Sequence, residues 1–203
     1  MENLQQMIID LELHNQITLE DMPQIDLYMD QVIQLFENQF GGSKRNEDEK
    51  VLTKTMINNY AKGKLFFPIK NKKYSKDHLI LISLIYQLKG ALSINDIKDT
   101  LLLINEKTLA SDFALEHFYE SYLQIVKKNV ERFNENVSVI SSDVKKEIEE
   151  MKDLDQDRLE KIMMISSLSN MSNFYRRAAE KLVDELGANK ELKEKKKNQS
   201  DKQ

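Results

Sequence analysis

The 203-residue sequence contains no cysteine and no tryptophan. Disulfide scaffolds, thiol nucleophiles and cysteine-ligated zinc or iron–sulfur centres are therefore excluded. Glycine occurs five times and proline twice, which leaves little from which to build a glycine-rich phosphate loop and few interruptions for helices. No apolar run approaches the ~20 residues of a membrane span. The longest, Leu79 to Leu88, is ten residues broken by Ser83 and Gln87. The start, Met1-Glu2-Asn3-Leu4-Gln5-Gln6, lacks the basic opening and apolar stretch of a secretory leader. A cytoplasmic protein without a membrane span is expected. Thirty Lys and Arg against 34 Asp and Glu give a net charge of -4, so a uniformly basic nucleic-acid coat protein is excluded while a local basic patch is not.

What is present is helical in pattern. Residues 1–24 form a weak helical lead-in that breaks at Asp21 and Pro23. From Ile25, the residues Tyr28, Met29, Val32, Phe36 and Phe40 recur at steps of three and four, which predicts an amphipathic helix ending at Gly41-Gly42-Ser43. Thr53 caps a short helix holding Met56, Ile57 and Tyr60, and Gly63 stops it. Leu65 to Tyr74 reads as a short extended ribbon with Asn71 near its tip. Ser75 caps the helix of the apolar run, and Ser93-Ile94-Asn95-Asp96 has capping-box spacing for one running to about Leu103. Leu115, Phe118, Tyr119, Tyr122, Val126, Val130, Phe133 and Val137 predict a helix of roughly six or seven turns. Another is expected from Leu159 to Leu186 with Ile162, Ile165, Leu168, Ala178, Leu182 and Leu186 inward and Gly187 as its stop. Residues 188–203 read as a disordered charged tail.

The charge is unevenly distributed. Residues 50–76 contain Lys50, Lys54, Lys62, Lys64, Lys70, Lys72, Lys73 and Lys76, eight lysines in 27 positions, and no Asp or Glu. An anionic partner, most simply a phosphate backbone, accounts for such a run; chance clustering of surface lysines is the plain alternative. The run coincides with a capped short helix and a ribbon, the parts of a winged helix-turn-helix. On that helix Thr55, Asn58 and Asn59 are available to face bases. Thr53, Lys54, Tyr60 and Lys62, with Lys70, Lys72 and Lys73 of the ribbon, are available to phosphates. A solvated helix face is the plain alternative for each of these polar residues, and a core aromatic with an exposed tip for Tyr60.

The segment Leu52-Thr53-Lys54-Thr55-Met56-Ile57-Asn58-Asn59-Tyr60, with Gly63-Lys64-Leu65-Phe66-Phe67-Pro68 and Lys73-Tyr74-Ser75, resembles the DNA-binding domain of the MerR family. Leu92-Ser93-Ile94-Asn95-Asp96-Ile97 resembles that family's later Phe-Ser-Leu-x-Glu-Ile helix start. Asn58 stands where the family has Arg, and Asn59 where it has the first Tyr. Over most of its length the chain more closely resembles a bacterial family known only as domain of unknown function 1836. Ile25-Asp26-Leu27-Tyr28-Met29-Asp30-Gln31-Val32 and the 52–60 phrase carry that resemblance. It implies no established activity; the MerR likeness implies duplex DNA as partner.

The remaining candidates are weaker. His14, His78 and His117 have no histidine three or four residues away, so a metal site would need ligands from elsewhere. The acidic run from Glu147 to Asp157 lacks the glycine and terminal Glu of a calcium loop. Ser166, Ser167, Ser169 and Ser172 lie in no nucleophile elbow. Arg176-Arg177, after Phe174-Tyr175, could hold an anionic small-molecule effector, although a solvated charged face explains them as well. The expectation is a mainly α protein without catalysis, cofactor or metal. Residues 1–24 are a lead-in, 25–107 a MerR-like winged helix-turn-helix with a small β-wing, and 108–187 a helical dimerisation or effector domain. Its function is DNA-binding transcriptional regulation through the 53–62 helix and the 68–74 wing, as a homodimer. The alternative is a non-catalytic protein-interaction module on the same scaffold, which the asparagines at 58 and 59 permit.

Overall fold

The computed structural model describes residues 4–151 and 155–200, with the side chains of the last helix given as far as residue 188. The element order is α1 (Leu4–Asp10), β1 (Leu27–Tyr28), α2 (Met29–Phe40), α3 (Lys54–Lys62), β2 (Lys73–Tyr74), α4 (Lys76–Leu88), α5 (Ile94–Leu109), α6 (Leu115–Met151) and α7 (Gln156–Ser200), with one 3-10 turn at Gly41–Ser43. The protein is mainly helical, with a two-stranded antiparallel sheet.

The helix starts follow local chemistry. Thr53 Oγ1 accepts from the Met56 amide at 3.1 Å, which satisfies one of the unpaired donors at the start of α3. Ser93 and Asp96 form a reciprocal capping box at α5. α2 begins at Met29 rather than at Ile25. Leu27 and Tyr28 instead pair with Tyr74 and Lys73, and the Tyr28 amide donates to Gln31 Oε1 at 2.9 Å. Ile25, counted on the buried stripe by spacing, is 69% exposed. The ribbon is likewise corrected. Lys70 bridges Lys73 across a tight turn, but the strand partner of Lys73–Tyr74 is β1, 46 residues earlier, and not residues 65–69.

Two cores share α6. The first gathers Ile17, Val32, Phe36, Ile57, Tyr60, Leu65, Tyr74, the nearly all-buried α4 residues Leu79 to Ile85, Ile97, Leu101, and Leu115 and Tyr119 of α6. Its packing therefore crosses residue 107. The second joins Val137, Val144 and Ile148 of α6 to Met164 of α7, with Leu4 and Ile8 of α1 against them.

α6 is one continuous 37-residue helix, about ten turns, because nothing between Val137 and Lys145 breaks it. α5 also runs beyond Leu103, to Leu109. α7 packs on α6 and α5; Met164 joins the second core, and Glu160 and Val183 are buried as well. Of the face expected to be inward, Leu168 is half-buried against the second core, but the rest is not. Ile162, Ile165, Leu182 and Leu186 are each at least half exposed, and Ala178 is exposed. Nor does Gly187 end the helix. A glycine inside a helix costs about 1 kcal/mol, which the flanking good helix formers absorb, and α7 continues to Ser200. The expected disordered tail falls largely on residues whose side chains, or for 201–203 whose backbone, lie outside the described residues.

Candidate nucleic-acid interface

α3 is seated by Ile57 and Tyr60, both buried, with Met56 half-buried beside them. At 100° per residue, Lys54, Thr55, Asn58, Asn59 and Lys62 fall within an arc of about 140° on the other side, and all five are exposed. The helix therefore stands on the core and offers its polar face outward. Tyr60 belongs to the core at 4% exposure, and burial beside Tyr86 raises the pKa of its phenol. It is withdrawn from the phosphate contacts.

Both ends of α3 are held. On the entry side Val51 and Leu52 are buried, and the half-buried Lys89 ammonium donates to the Val51 carbonyl at 3.0 Å. On the exit side the helix closes in a Schellman motif. The Leu65 amide donates to the Tyr60 carbonyl at 3.0 Å and the Lys64 amide to Ala61 at 3.1 Å. The left-handed residue of that motif is Lys64 (φ 58) rather than Gly63. Gly63 is required for room: a Cβ there would meet Leu65 Cδ1 at 2.7 Å and the Asn59 carbonyl at 3.2 Å. Buried Asn105 then donates to the Leu65 carbonyl at 2.9 Å, tying the exit to α5.

The ribbon is a turn of the mirror type. Asn71 and Lys72 both have positive φ, 51 and 59, and the Lys73 amide donates to the Lys70 carbonyl at 2.9 Å. Lys70, Asn71 and Lys72 are exposed at its tip. At its base sits buried His78. Its Nδ1 accepts from the Ser75 amide at 3.2 Å and lies 2.8 Å from Ser75 Oγ. Its Nε2 is 3.2 Å from the Phe67 carbonyl. A neutral ring protonated on Nε2 satisfies both backbone contacts, and burial lowers the His78 pKa. Phe66, Phe67 and Tyr74 surround it.

α3 and the turn meet at the first turn of α2. Lys54 Nζ is 2.8 Å from Asp30 Oδ1. Lys73 Nζ lies 5.2 Å from the centre of the Tyr28 ring, over its face. Tyr28 and Asp30 are two residues apart, so the lysine that opens α3 and the lysine that follows the turn reach the same spot. The sequence pattern gives neither Tyr28 nor Asp30 a place at the interface, because Tyr28 fits the apolar spacing of a helix and Asp30 an ordinary acidic helix start.

Of the eight lysines, Lys76 is committed elsewhere: its ammonium is 3.0 Å from Glu116. Lys50, Lys62, Lys64, Lys70 and Lys72 are exposed and make no ion pair among the described residues. Thr53 is spent in part on its cap. The described residues contain no group of three potential metal ligands and no helix long and apolar enough to cross a membrane. Exposed His117 lies 4.0 Å from Glu120.

A family model described as a domain of unknown function (DUF1836) matches residues 17–122. These bounds nearly coincide with the first core, which runs from Ile17 to Tyr119 with Tyr122 and Leu123 packed against it. No curated protein and no solved structure matches the chain.

Proposed function

The chain belongs to the DUF1836 family, and we propose that it is a non-catalytic, cytoplasmic DNA-binding transcriptional regulator that meets duplex DNA as a MerR-like winged helix-turn-helix. The observation that carries this reading is the outward polar face of α3 beside the exposed lysine turn, both free of acids in their own sequence and joined at Tyr28 and Asp30. The element order β1, α2, α3, turn, β2, α4 supports a helix pair with a wing, although the 41–53 connection is longer than a tight turn. Lys54, Lys62, Lys70, Lys72 and Lys73 neutralise phosphates, and Thr55, Asn58 and Asn59 face base edges, where asparagine pairs bidentately with adenine.

A second copy supplies the second half-site. Along α7, Ile165, Leu168, Ser172, Tyr175, Ala179, Leu182 and Leu186 alternate at steps of three and four, the repeat of a helix-to-helix seam. Ile165, Tyr175, Leu182 and Leu186 are 64%, 64%, 63% and 50% exposed. Leu168 is already half-buried against the second core, and a second α7 covers the exposed members of this line.

The test is duplex binding against salt for the wild type and a Lys62/Lys70/Lys72→Ala variant. Each phosphate contact contributes about 0.9 to the log–log slope, so the variant loses about 2.7 units. Failure of the wild type to bind at low salt, or an unchanged slope in the variant, refutes the reading.

A further inference from the structure

One carboxylate reaches into the lysine-rich surface from outside its acid-free segment. Asp30 Oδ1 contacts Lys54 Nζ at 2.8 Å, and the two side chains are 74% and 65% exposed. An ion pair so open to water does little to hold a fold. The position of Asp30 in the first turn of α2 suits the partial positive charge of a helix start, but that does not explain why the carboxylate is shared with a lysine of another helix. Among the described residues, no other acid forms an ion pair with the exposed lysines of residues 50–73.

We infer that Asp30 is a built-in competitor for the anion: its carboxylate occupies Lys54 in the free protein and must give up that ammonium when a phosphate arrives. This rests on the duplex-binding reading above and adds to it a residue that sets how tightly and how salt-sensitively the surface binds. Lys54 is the first residue of α3, next to base-facing Thr55, so the lysine held back is the one nearest the helix entry. Tyr28, the residue that caps the start of α2, lies under the Lys73 ammonium, which places the carboxylate beside the junction of helix and wing rather than at the rim. An arriving phosphate therefore exchanges one ionic contact for another at Lys54. It also meets one negative charge that repels it.

Replacing Asp30 by Asn keeps the shape and removes the charge. In the wild type the freed carboxylate regains a cation from solution and cancels about one released counterion; without it the salt slope gains about 0.9, which at about 0.1 M salt is roughly an eightfold gain in affinity that fades towards 1 M. The experiment is fluorescence anisotropy of a labelled random-sequence duplex with the full chain, over a salt series, for wild type, Asp30→Asn, Lys54→Ala and the double variant. Asp30→Ser serves as a second neutral replacement that retains a polar helix start, and urea midpoints verify the fold of each protein. The expected result is tighter binding and a steeper slope for both neutral variants, with most of that gain lost in the Lys54→Ala background. An unchanged slope in the neutral variants, or a full gain without Lys54, overturns the inference while leaving duplex binding standing. Absence of binding by every protein at low salt overturns both.

Discussion

The phenolic hydroxyl of Tyr119 donates a 2.7 Å hydrogen bond to the carbonyl oxygen of Ile17 across 102 residues of chain, with both side chains buried. It closes the first core, joining the chain just before β1 to the first turns of α6. Burial pushes the Tyr119 pKa up to about 12, so the hydroxyl remains a donor throughout the physiological range. Tyr119→Phe leaves the Ile17 carbonyl without its partner, at a cost of about 1–3 kcal/mol. The urea midpoint falls accordingly, while the far-ultraviolet helical signal is retained.

The exit of α3 carries two opposed effects in neighbouring residues. Lys64→Gly relieves a left-handed backbone that a side chain tolerates poorly, and stabilises by about 1 kcal/mol. Gly63→Ala drives a methyl group into buried Leu65 and destabilises by about 1–3 kcal/mol. Chemical unfolding of the two variants should shift in opposite directions. Equal shifts would contradict the motif.

His78 makes stability depend on pH. Burial lowers its folded pKa below the ordinary 6.5. At higher pH the ring is neutral both folded and unfolded. As pH falls below 6.5, the unfolded chain takes up the proton first, and stability declines until the lowered folded value is passed. Asp77, whose carboxyl is raised chiefly by burial, works in the opposite sense, because the folded chain takes up that proton first. Urea midpoints at about pH 7.5 and about pH 5.5 should differ for the wild type. In His78→Gln, which starts less stable, the difference should shrink.

The α7 seam sets the oligomeric state. Leu182→Glu places a charge on a side chain that is 63% exposed in the single chain, so the protomer folds unchanged. In a dimer that position is covered. A dissociation constant at least tenfold weaker, about 1.4 kcal/mol, is expected in sedimentation equilibrium. An identical mass distribution for variant and wild type would place the dimer contact elsewhere.

Much of this was legible in the sequence. Thr53, Ser75 and Ser93 marked the starts of α3, α4 and α5 because capping is a local interaction within three residues. The tip of the turn at Asn71 was legible because asparagine tolerates positive φ. The sheet was not, since two-residue strands have no period to read and β1 lies 46 residues from its partner. The inward face of α7 was misread for a related reason. Buried Met164 and exposed Leu182 lie 18 residues, five full turns, apart, and so do exposed Ile165 and buried Val183, so the covered side of α7 changes along its length. Periodicity cannot say which side a neighbouring helix covers.

The sequence by itself determined that the protein is helical, that one 27-residue stretch concentrates eight lysines without an acid, and where three of its helices begin. These properties follow from composition and from contacts within a turn. The tertiary structure alone decided that Tyr60 lies in the core while its neighbours on α3 face outward. It also decided that Asp30 and Tyr28 meet the two lysine-bearing elements. The reason is physical: a side chain's exposure and its charged neighbours depend on which distant segments pack beside it, and that is fixed only when the whole core closes.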